Sequence, residues 1–191
     1  QIAHTTDRIG LEKTASAKQA VAAINPDVTL IEYKTRLTVD NAAAMIGGYD
    51  VIADGSDNFP TRFLVNDACF FAKKTLVSAA VLRFDGQLAT FKPHAGGPCY
   101  RCLYPAPPPP GQIPSCEEAG VLGAVAGVLG TLQATEVLKE ILGIGDSMAG
   151  RLLIYDALAA HMRQVKVNPD PACPLCSGGA AIKNLGCHRT T

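Results

Sequence analysis

Two Cys-x-x-Cys pairs in this sequence could hold a metal ion. They are Cys99-Tyr-Arg-Cys102 and Cys173-Pro-Leu-Cys176, which stand about seventy residues apart. A Cys-x-x-Cys turn directs two thiolates to one point, and two such turns complete the tetrahedral ligand set of structural zinc. Two disulfides or a redox-active pair are the alternatives. Two matched pairs favour one structural Zn²⁺ that ties remote segments of a single fold together.

A polar cluster follows a short apolar stretch at residues 49–53, which is predicted to be a buried strand. The cluster is Asp54-Gly-Ser-Asp-Asn58, and a predicted helix comes directly after it. In α/β folds, ligands bind beyond the carboxyl ends of the strands, and carboxylate oxygens are suitable ligands for Mg²⁺. An ordinary helix N-cap is the alternative, because Asp and Asn are favoured at helix starts. Spacing alone leaves both interpretations open.

The elements that must position these groups alternate along the chain. Apolar and polar patterning predicts the following segments. Helices are expected at 13–24, 40–46, 58–73 and within 119–134, and strands at 28–37, 49–53, 75–81, 87–91, 151–155 and 163–167. This order predicts an α/β fold: a Rossmann-like, mostly parallel sheet with helices on both faces that continues into antiparallel strands. Asp85-Gly86 predicts a hairpin between two of these strands.

Segment 119–134 carries no charged residue, yet it is about sixteen residues long, short of the roughly twenty that a bilayer requires. Four glycines within this segment are spaced to share one helical face. They are Gly120, Gly123, Gly127 and Gly130. A glycine face allows another element to approach closely, so we predict a buried helix of a globular core rather than a membrane span.

Composition limits the class of protein further. Of the 191 residues, 48% are hydrophobic and 18% are charged, which is typical of a globular domain with a real core. Lysine plus arginine and aspartate plus glutamate both number 17, so no net charge attracts nucleic acid or an anionic membrane, and neither partner is predicted. Seven cysteines, an odd number, fit a reducing compartment better than a secreted disulfide scaffold. With no signal peptide visible, the expected location is cytoplasmic.

Taken together and in order, the motifs resemble the ThiF/MoeB/HesA family, the bacterial relatives of ubiquitin-activating enzymes. The resemblance covers roughly residues 1–177. Its motifs are His4-Thr-Thr-Asp-Arg-Ile-Gly10 with Lys13, Asp54-Gly-Ser-Asp-Asn58 with Arg62 and Asn66, Gly86-Gln87, Cys99-Tyr-Arg-Cys102-Leu103, Cys116-Glu-Glu-Ala-Gly-Val121, Leu132-Gln-Ala-Thr-Glu136, Tyr155-Asp156 and Cys173-Pro-Leu-Cys176.

This resemblance implies an adenylyltransferase that uses ATP with Mg²⁺. Its substrate would be the C-terminal glycine of a small ubiquitin-like sulfur carrier ending in Gly-Gly, in thiamine or molybdopterin biosynthesis, and the enzyme would be a homodimer. Asp57 matches the aspartate on the magnesium side, and Lys13 matches a lysine that contacts the nucleotide phosphates. Asn58 and Arg62 are expected to join them in binding the nucleotide. The four paired cysteines match the structural zinc ligands.

The resemblance also gives Cys116 a role. It matches the cysteine that accepts a thioester or persulfide linkage in some relatives and is dispensable for adenylation in others. The thiol follows a proline-rich stretch and precedes a predicted helix, whose dipole would lower the thiol pKa. The neighbouring Glu117 and Glu118 would raise it. Of the remaining cysteines, Cys69 is expected to be a small buried hydrophobe, and Cys187 lies in a polar tail beside His188.

One family element is missing from this sequence. Family members begin with a strand, a Gly-x-Gly-Gly-x-Gly type loop and an arginine-containing segment, and none of these occurs here. The expected organisation is therefore an N-terminally incomplete adenylation domain, residues 1–177, with a tail at 178–191. A zinc-stabilised module that binds the carrier but has lost adenylation is the main alternative. A nicotinamide-dependent oxidoreductase is the other, although no dinucleotide fingerprint occurs.

Overall fold

The structure is a computed structural model, and it describes residues 3–109, 111–112 and 116–189. The chain divides into two compact units, residues 1–37 and residues 38–191, which are described separately.

The first unit contains a short 3-10 helix, Thr6–Arg8, and one α-helix, α1 (Lys13–Ile24). Ser16 joins the two, because its hydroxyl lies 2.8 Å from His4 Nδ1 and its carbonyl accepts from Arg8 Nη1 at 2.6 Å. Helix α1 ends where predicted, just before Asn25-Pro26. The predicted strand at 28–37 is wrong. A strand needs a neighbour for its backbone ladder, and the described residues of this unit contain no strand.

The second unit contains the sheet and the remaining helices. Its helices are α2 (Val39–Gly47), α3 (Phe59–Phe71), α4 (Tyr100–Leu103), α5 (Cys116–Ala119) and α6 (Gly123–Leu142), and its strands are β1 (Val51–Asp54), β2 (Thr75–Leu82), β3 (Asp85–Phe91), β4 (Arg151–Asp156) and β5 (His161–Lys166). Two 3-10 helices, Pro93–Ala95 and Leu185–His188, complete it. Apart from segment 28–37, the strands and longer helices lie within a few residues of their predicted positions, except that α6 continues eight residues beyond the predicted segment 119–134.

The five strands form one mixed sheet in the order β1-β2-β3-β4-β5. Only β1 and β2 are parallel, and the three later pairs are antiparallel. The hairpin predicted at Asp85-Gly86 joins β2 to β3 through the pairs Leu82↔Asp85 and Val81↔Gly86. The predicted α/β sheet that turns antiparallel is therefore confirmed, but most of its described strand pairs are antiparallel, whereas a mostly parallel sheet was predicted.

Helices cover both faces of the sheet. Helix α6 packs on the face that contains Val77 and Leu88. Leu76 points to the opposite face because side chains alternate along a strand, and its cross-strand neighbour Phe91 contacts the ring of Tyr100. The Tyr100 ring in turn meets Phe63 of α3 edge to face, with centroids 5.2 Å apart. The sheet is thus the central layer of this unit.

Helix α6 is only half buried, contrary to the sequence prediction. Val125 and Leu129 pack against the sheet, whereas a Cβ added at Gly123, Gly127 or Gly130 would meet no atom within 4 Å in the described part of the chain. The close approach occurs instead at Gly86 of β3, where an added Cβ would lie 2.4 Å from Leu129 Cδ2. No helix among the described residues is long and apolar enough to cross a membrane.

Candidate functional site

The loop after β1 carries the acidic cluster, and its two aspartates differ in role. Asp54 is only 5% exposed. Its Oδ1 accepts from the Ser56 backbone N–H at 3.0 Å, and its Oδ2 accepts from the Ser78 hydroxyl at 3.3 Å. Asp54 therefore shapes the turn, because both of its oxygens are used inside the protein. Asp57, three residues on, is exposed and available to a ligand.

Asn58 is the N-cap of α3, as the alternative interpretation of the cluster proposed. Its Oδ1 accepts from the Thr61 backbone N–H at 2.9 Å, and Pro60 stands in the first turn. The same amide also hydrogen-bonds the neighbouring carboxylate, because Asn58 Nδ2 donates to Asp57 Oδ1 at 3.1 Å. The two interpretations of the cluster are compatible, since the helix cap also orients the exposed carboxylate. A role of Asn58 in nucleotide binding stays a prediction.

Arg62 lies one turn into α3 and points back to the same loop. Its Nε and Nη2 donate to the Ser56 carbonyl at 2.9 and 2.8 Å, and its guanidinium lies 5.5 Å from the centre of the Phe59 ring. This fork fixes the peptide that precedes Asp57. Arg62 was predicted to bind the nucleotide. That role stays a prediction. In this structure, the guanidinium of Arg62 donates two hydrogen bonds to the Ser56 carbonyl in the loop.

Gln133 of α6 is a site residue that sequence reasoning missed. Its Nε2 donates to the Asp54 carbonyl at 2.8 Å and to the Val77 carbonyl at 2.9 Å, so α6 is tied to the carboxyl end of β1 and to β2. The motif Leu132-Gln-Ala-Thr-Glu136 was the only signal in the sequence, and it gave Gln133 no role.

Two cavities meet at this loop. The larger, about 460 Å³, lies over the hairpin strands, and the smaller, about 130 Å³, lies between the loop and α6. Asp57, Arg62 and Val81 line both cavities. The larger cavity has mainly apolar walls. They include Leu82, Leu88, Phe91, Leu152 and Ile154 from the strands, and Leu103, Tyr104, Ala106 and Pro108 from the segment after α4. Asp57 thus stands where the two cavities meet.

Tyr104 fixes the start of the segment that closes the larger cavity. Its hydroxyl donates to Gln87 Oε1 at 2.9 Å, and its ring lies 5.0 Å from that of Tyr100. Burial raises the pKa of the Tyr104 hydroxyl, so the group remains a neutral donor. Residues 104–109, which we call the arm, continue from this anchor along the cavity. Gln87 therefore pairs with the arm from β3, in the Gly86-Gln87 motif.

The four paired cysteines come together as predicted. Their sulfurs all lie within 4.8 Å of one another. The Cys99–Cys173 distance is 3.5 Å, the Cys102–Cys176 distance is 3.3 Å, and the Cys99–Cys102 distance is 3.9 Å. A tetrahedral zinc with Zn–S bonds of about 2.3 Å places its sulfurs about 3.8 Å apart. The cluster therefore fits one Zn²⁺, and none of the six cysteines that the structure describes is in a disulfide.

The surroundings of the sulfurs also fit a metal centre. Cys99 and Cys173 are buried beside Leu175, and the backbone N–H groups of Leu175 and Cys176 lie 3.5 Å from Cys173 Sγ. Burial, together with the three neighbouring thiol groups, raises the pKa of Cys99. Burial and hydrogen bonding to Cys102 raise the pKa of Cys176 to about 12. Burial therefore opposes ionisation of Cys99 and Cys176, and a bound cation would stabilise their thiolates.

The described structure does not test the predicted roles of two further site residues. Lys13 is the exposed first residue of α1 in the first unit. The backbone of Cys116 begins the four-residue helix α5, but its side chain lies outside the described residues. The roles of Lys13 at the phosphates and of Cys116 in sulfur transfer stay predictions.

Comparison with known proteins agrees with the sequence motifs. The sulfur carrier protein adenylyltransferase of Thermus thermophilus is 49% identical over 189 residues, which is 97% of this chain and 70% of that protein. The adenylyltransferase and sulfurtransferase MOCS3 of Drosophila virilis is 44% identical over 97% of this chain, which spans 41% of that protein. The SAMP-activating enzyme E1 of Haloferax volcanii is 43% identical over 94% of this chain and 66% of its own length.

A solved structure shows the same fold. The crystal structure of E. coli MccB with ATP superposes with a TM-score of 0.78, covering 92% of this chain and 54% of that one, at 16% identity. At this level of identity, the likeness concerns the fold alone. The ThiF family matches residues 1–175 of the sequence, nearly the whole chain. With the acidic loop, the four-cysteine cluster and the ordered motifs all in place, this chain belongs to the ThiF family.

Proposed function

We propose that the complete gene product containing this chain transfers AMP from ATP to the C-terminal carboxylate of a small sulfur-carrier protein. The family and the activities named for its relatives support this reaction. The single structural observation that carries it is the position of Asp57. This exposed carboxylate follows a strand of an α/β sheet and stands where an apolar cavity meets a smaller one.

In the proposed reaction, the carrier's carboxylate attacks the α-phosphorus of ATP, and pyrophosphate leaves. Such chemistry depends on positioning and charge neutralisation rather than on a covalent enzyme group. Asp57 is the group that would hold Mg²⁺, and a bound Mg²⁺ would offset the charge that develops between the α-phosphate and pyrophosphate. Asn58 orients this carboxylate, and Arg62 fixes the peptide before it.

The larger cavity is the proposed site of the carrier's Gly-Gly tail. Its volume of about 460 Å³ is within the range of small-ligand sites. Its walls come from the hairpin strands and the arm, and it opens beside Asp57. Glycine suits a narrow channel because it carries no Cβ. A carrier ending in Ala-Ala should therefore react more slowly. The carrier's pathway, thiamine or molybdopterin, and the homodimer remain part of the proposal.

ATP–pyrophosphate exchange tests the reaction in the complete gene product supplied with a Gly-Gly carrier. Asp57→Asn keeps the shape and removes the charge, so we expect a loss of about a hundredfold or more. Asp50→Asn is the matched control, because Asp50 is exposed at the opposite end of β1. Cys116→Ala should spare exchange and affect only a later sulfur-transfer step.

If the wild type shows exchange and Asp57→Asn exchanges at the same rate, Asp57 has no role in the mechanism. Absence of carrier-dependent exchange in the wild type, with the carrier still bound, would favour the second candidate. That candidate is a zinc-stabilised module that binds the carrier without activating it, and the four-cysteine cluster would serve it equally well.

A further inference from the structure

The C-terminal tail contacts a buried carboxylate. His188, the last residue of the 3-10 helix Leu185–His188, places its Nε2 2.7 Å from Asp67 Oδ2. Asp67 lies on α3 with 0% exposure. Asn66 Nδ2 also donates to Asp67 Oδ1, at 2.9 Å. The tail therefore reaches the interior of the second unit, 121 residues along the chain from its partner.

Arg101 shares the same carboxylate. It stands between the two cysteines of the first pair and is 6% exposed. Its Nε donates to Asp67 Oδ1 at 2.8 Å and its Nη2 donates to Asp67 Oδ2 at 2.7 Å. The guanidinium also lies 4.6 Å from the centre of the Phe63 ring. This two-point geometry fixes the plane of the guanidinium, which a lysine could not reproduce.

The third nitrogen of Arg101 faces the arm. Its Nη1 donates to the Pro105 carbonyl at 3.0 Å. Pro105 follows Tyr104 directly, and the next residues, Ala106 and Pro108, line the larger cavity. A continuous series of contacts thus runs from the tail to the cavity wall: His188 to Asp67, Asp67 to Arg101, and Arg101 to the arm.

We propose that Arg101 and His188 are positioning residues for carrier activation, which hold the arm against the cavity that takes the carrier's tail. This inference rests on the proposed function. Because prolines restrict the backbone of the arm, fixing one carbonyl near its start determines where the later residues lie. The contribution of His188 is indirect. It donates to Asp67 and so helps to hold the carboxylate that orients Arg101.

A metal ion is the other occupant that these groups could suggest. Ligand atoms of Asp67, Cys187 and His188 lie within 4.8 Å of one another. However, both oxygens of Asp67 already accept hydrogen bonds from the guanidinium of Arg101. The positive charge of Arg101 would oppose a divalent cation at this distance. These contacts therefore favour a hydrogen-bonded anchor for the tail over a metal site.

The test uses steady-state exchange kinetics of the complete gene product, with the carrier and ATP varied separately. Arg101→Lys and His188→Leu should raise the KM for the carrier about five- to tenfold, with kcat and the KM for ATP unchanged. His188→Gln should restore the wild-type KM, because its amide can still donate to Asp67. The matched control is Arg189→Ala, which removes an ion pair with Asp40 whose side chains are 70% and 78% exposed.

Several results would overturn this inference. One is a lowered melting temperature in Arg101→Lys and His188→Leu with an unchanged KM for the carrier. An equal rise in both KM values would indicate general loosening of the fold instead. A second metal equivalent that disappears in His188→Gln, together with a raised carrier KM, would establish the metal site. If Arg101→Lys does not fold, His188→Leu still decides. If the wild-type protein shows no exchange, the proposed function itself is wrong. That result would be seen before any variant is made.

Discussion

Gly86 of β3 lies so close to Leu129 of α6 that adding one methyl group there should destabilise the protein. In Gly86→Ala, the new Cβ would lie 2.4 Å from Leu129 Cδ2 and 2.7 Å from its Cγ. Carbon atoms pack favourably at about 3.5–4.0 Å, so Leu129 would have to move by about 1 Å or more. Leu129 is 1% exposed in a cluster with Val77, Leu88 and Val125, which leaves it little room.

Overpacking of this kind costs about 1–3 kcal/mol, and we expect that loss in the free energy of unfolding. The assay is chemical denaturation of the chain at a fixed zinc concentration. Leu129→Ala alone should cost about 2–5 kcal/mol because it leaves a cavity. The double variant should cost less than the sum of the single changes by about 0.5–3 kcal/mol, since the methyl group would enter that cavity.

Gly127→Ala is the matched control on the same helix. A Cβ at Gly127 would meet no atom within 4 Å, and alanine is the better helix former, so this variant should be more stable by about 0.5–1 kcal/mol. Unchanged stability in Gly86→Ala, or strict additivity in the double variant, would show that the contact with Leu129 does not constrain position 86.

Two further predictions concern metal and pH. Cys173→Ser should lower bound zinc well below one equivalent and reduce the melting temperature. The control Cys187→Ser should do neither. Full stability of the wild type in a chelator would contradict the zinc site. Glu140→Gln should cost about 1–3 kcal/mol at neutral pH, because the Glu140 carboxylate accepts from Lys92 and Ser147. Burial would raise the pKa of Glu140, but these hydrogen bonds lower it. The stabilisation is therefore fully present above the unfolded-state pKa of about 4.3 and is lost as pH falls through the lower folded-state pKa. Parallel denaturation curves at pH 7 and pH 4 should show the gap to the variant narrowing, and a constant gap would refute this assignment.

Local signals in the sequence were enough to predict most of the secondary structure. Helix α1 was predicted to the residue, because its alanine-rich stretch meets a clear stop at Asn25-Pro26. Segment 28–37 has the alternation of a strand, yet a strand exists only where a neighbour completes its ladder, and that is not a local property. The glycines of α6 show the same limit. Their spacing indicates a smooth helical face, but it does not say which element packs there.

The candidate site could be predicted where residue type alone determines the chemistry. Four cysteines in two pairs have few other uses, and the structure brings their sulfurs together. The acidic loop was located, but only the family resemblance singled out Asp57. Residue types alone could not tell the two aspartates apart, because burial of Asp54 depends on Ser78 in the next strand. Gln133 and Arg101 were missed as site residues for the same reason. Their partners lie in other elements, at Val77 and Asp54 for Gln133 and at Asp67 for Arg101.

The position of Arg101 inside the first Cys-x-x-Cys pair links the metal to the proposed carrier cavity. A bound zinc would fix Cys99 and Cys102, and the turn between them carries the guanidinium that holds Pro105. Losing the metal would free this turn from the second pair, because Cys173 and Cys176 would no longer be joined to it through a common ion. A zinc centre far from the reacting atoms would then influence carrier binding through the arm. A structural metal and the tail anchor would therefore act on the same short segment, the metal through the cysteines beside Arg101 and the anchor through Asp67.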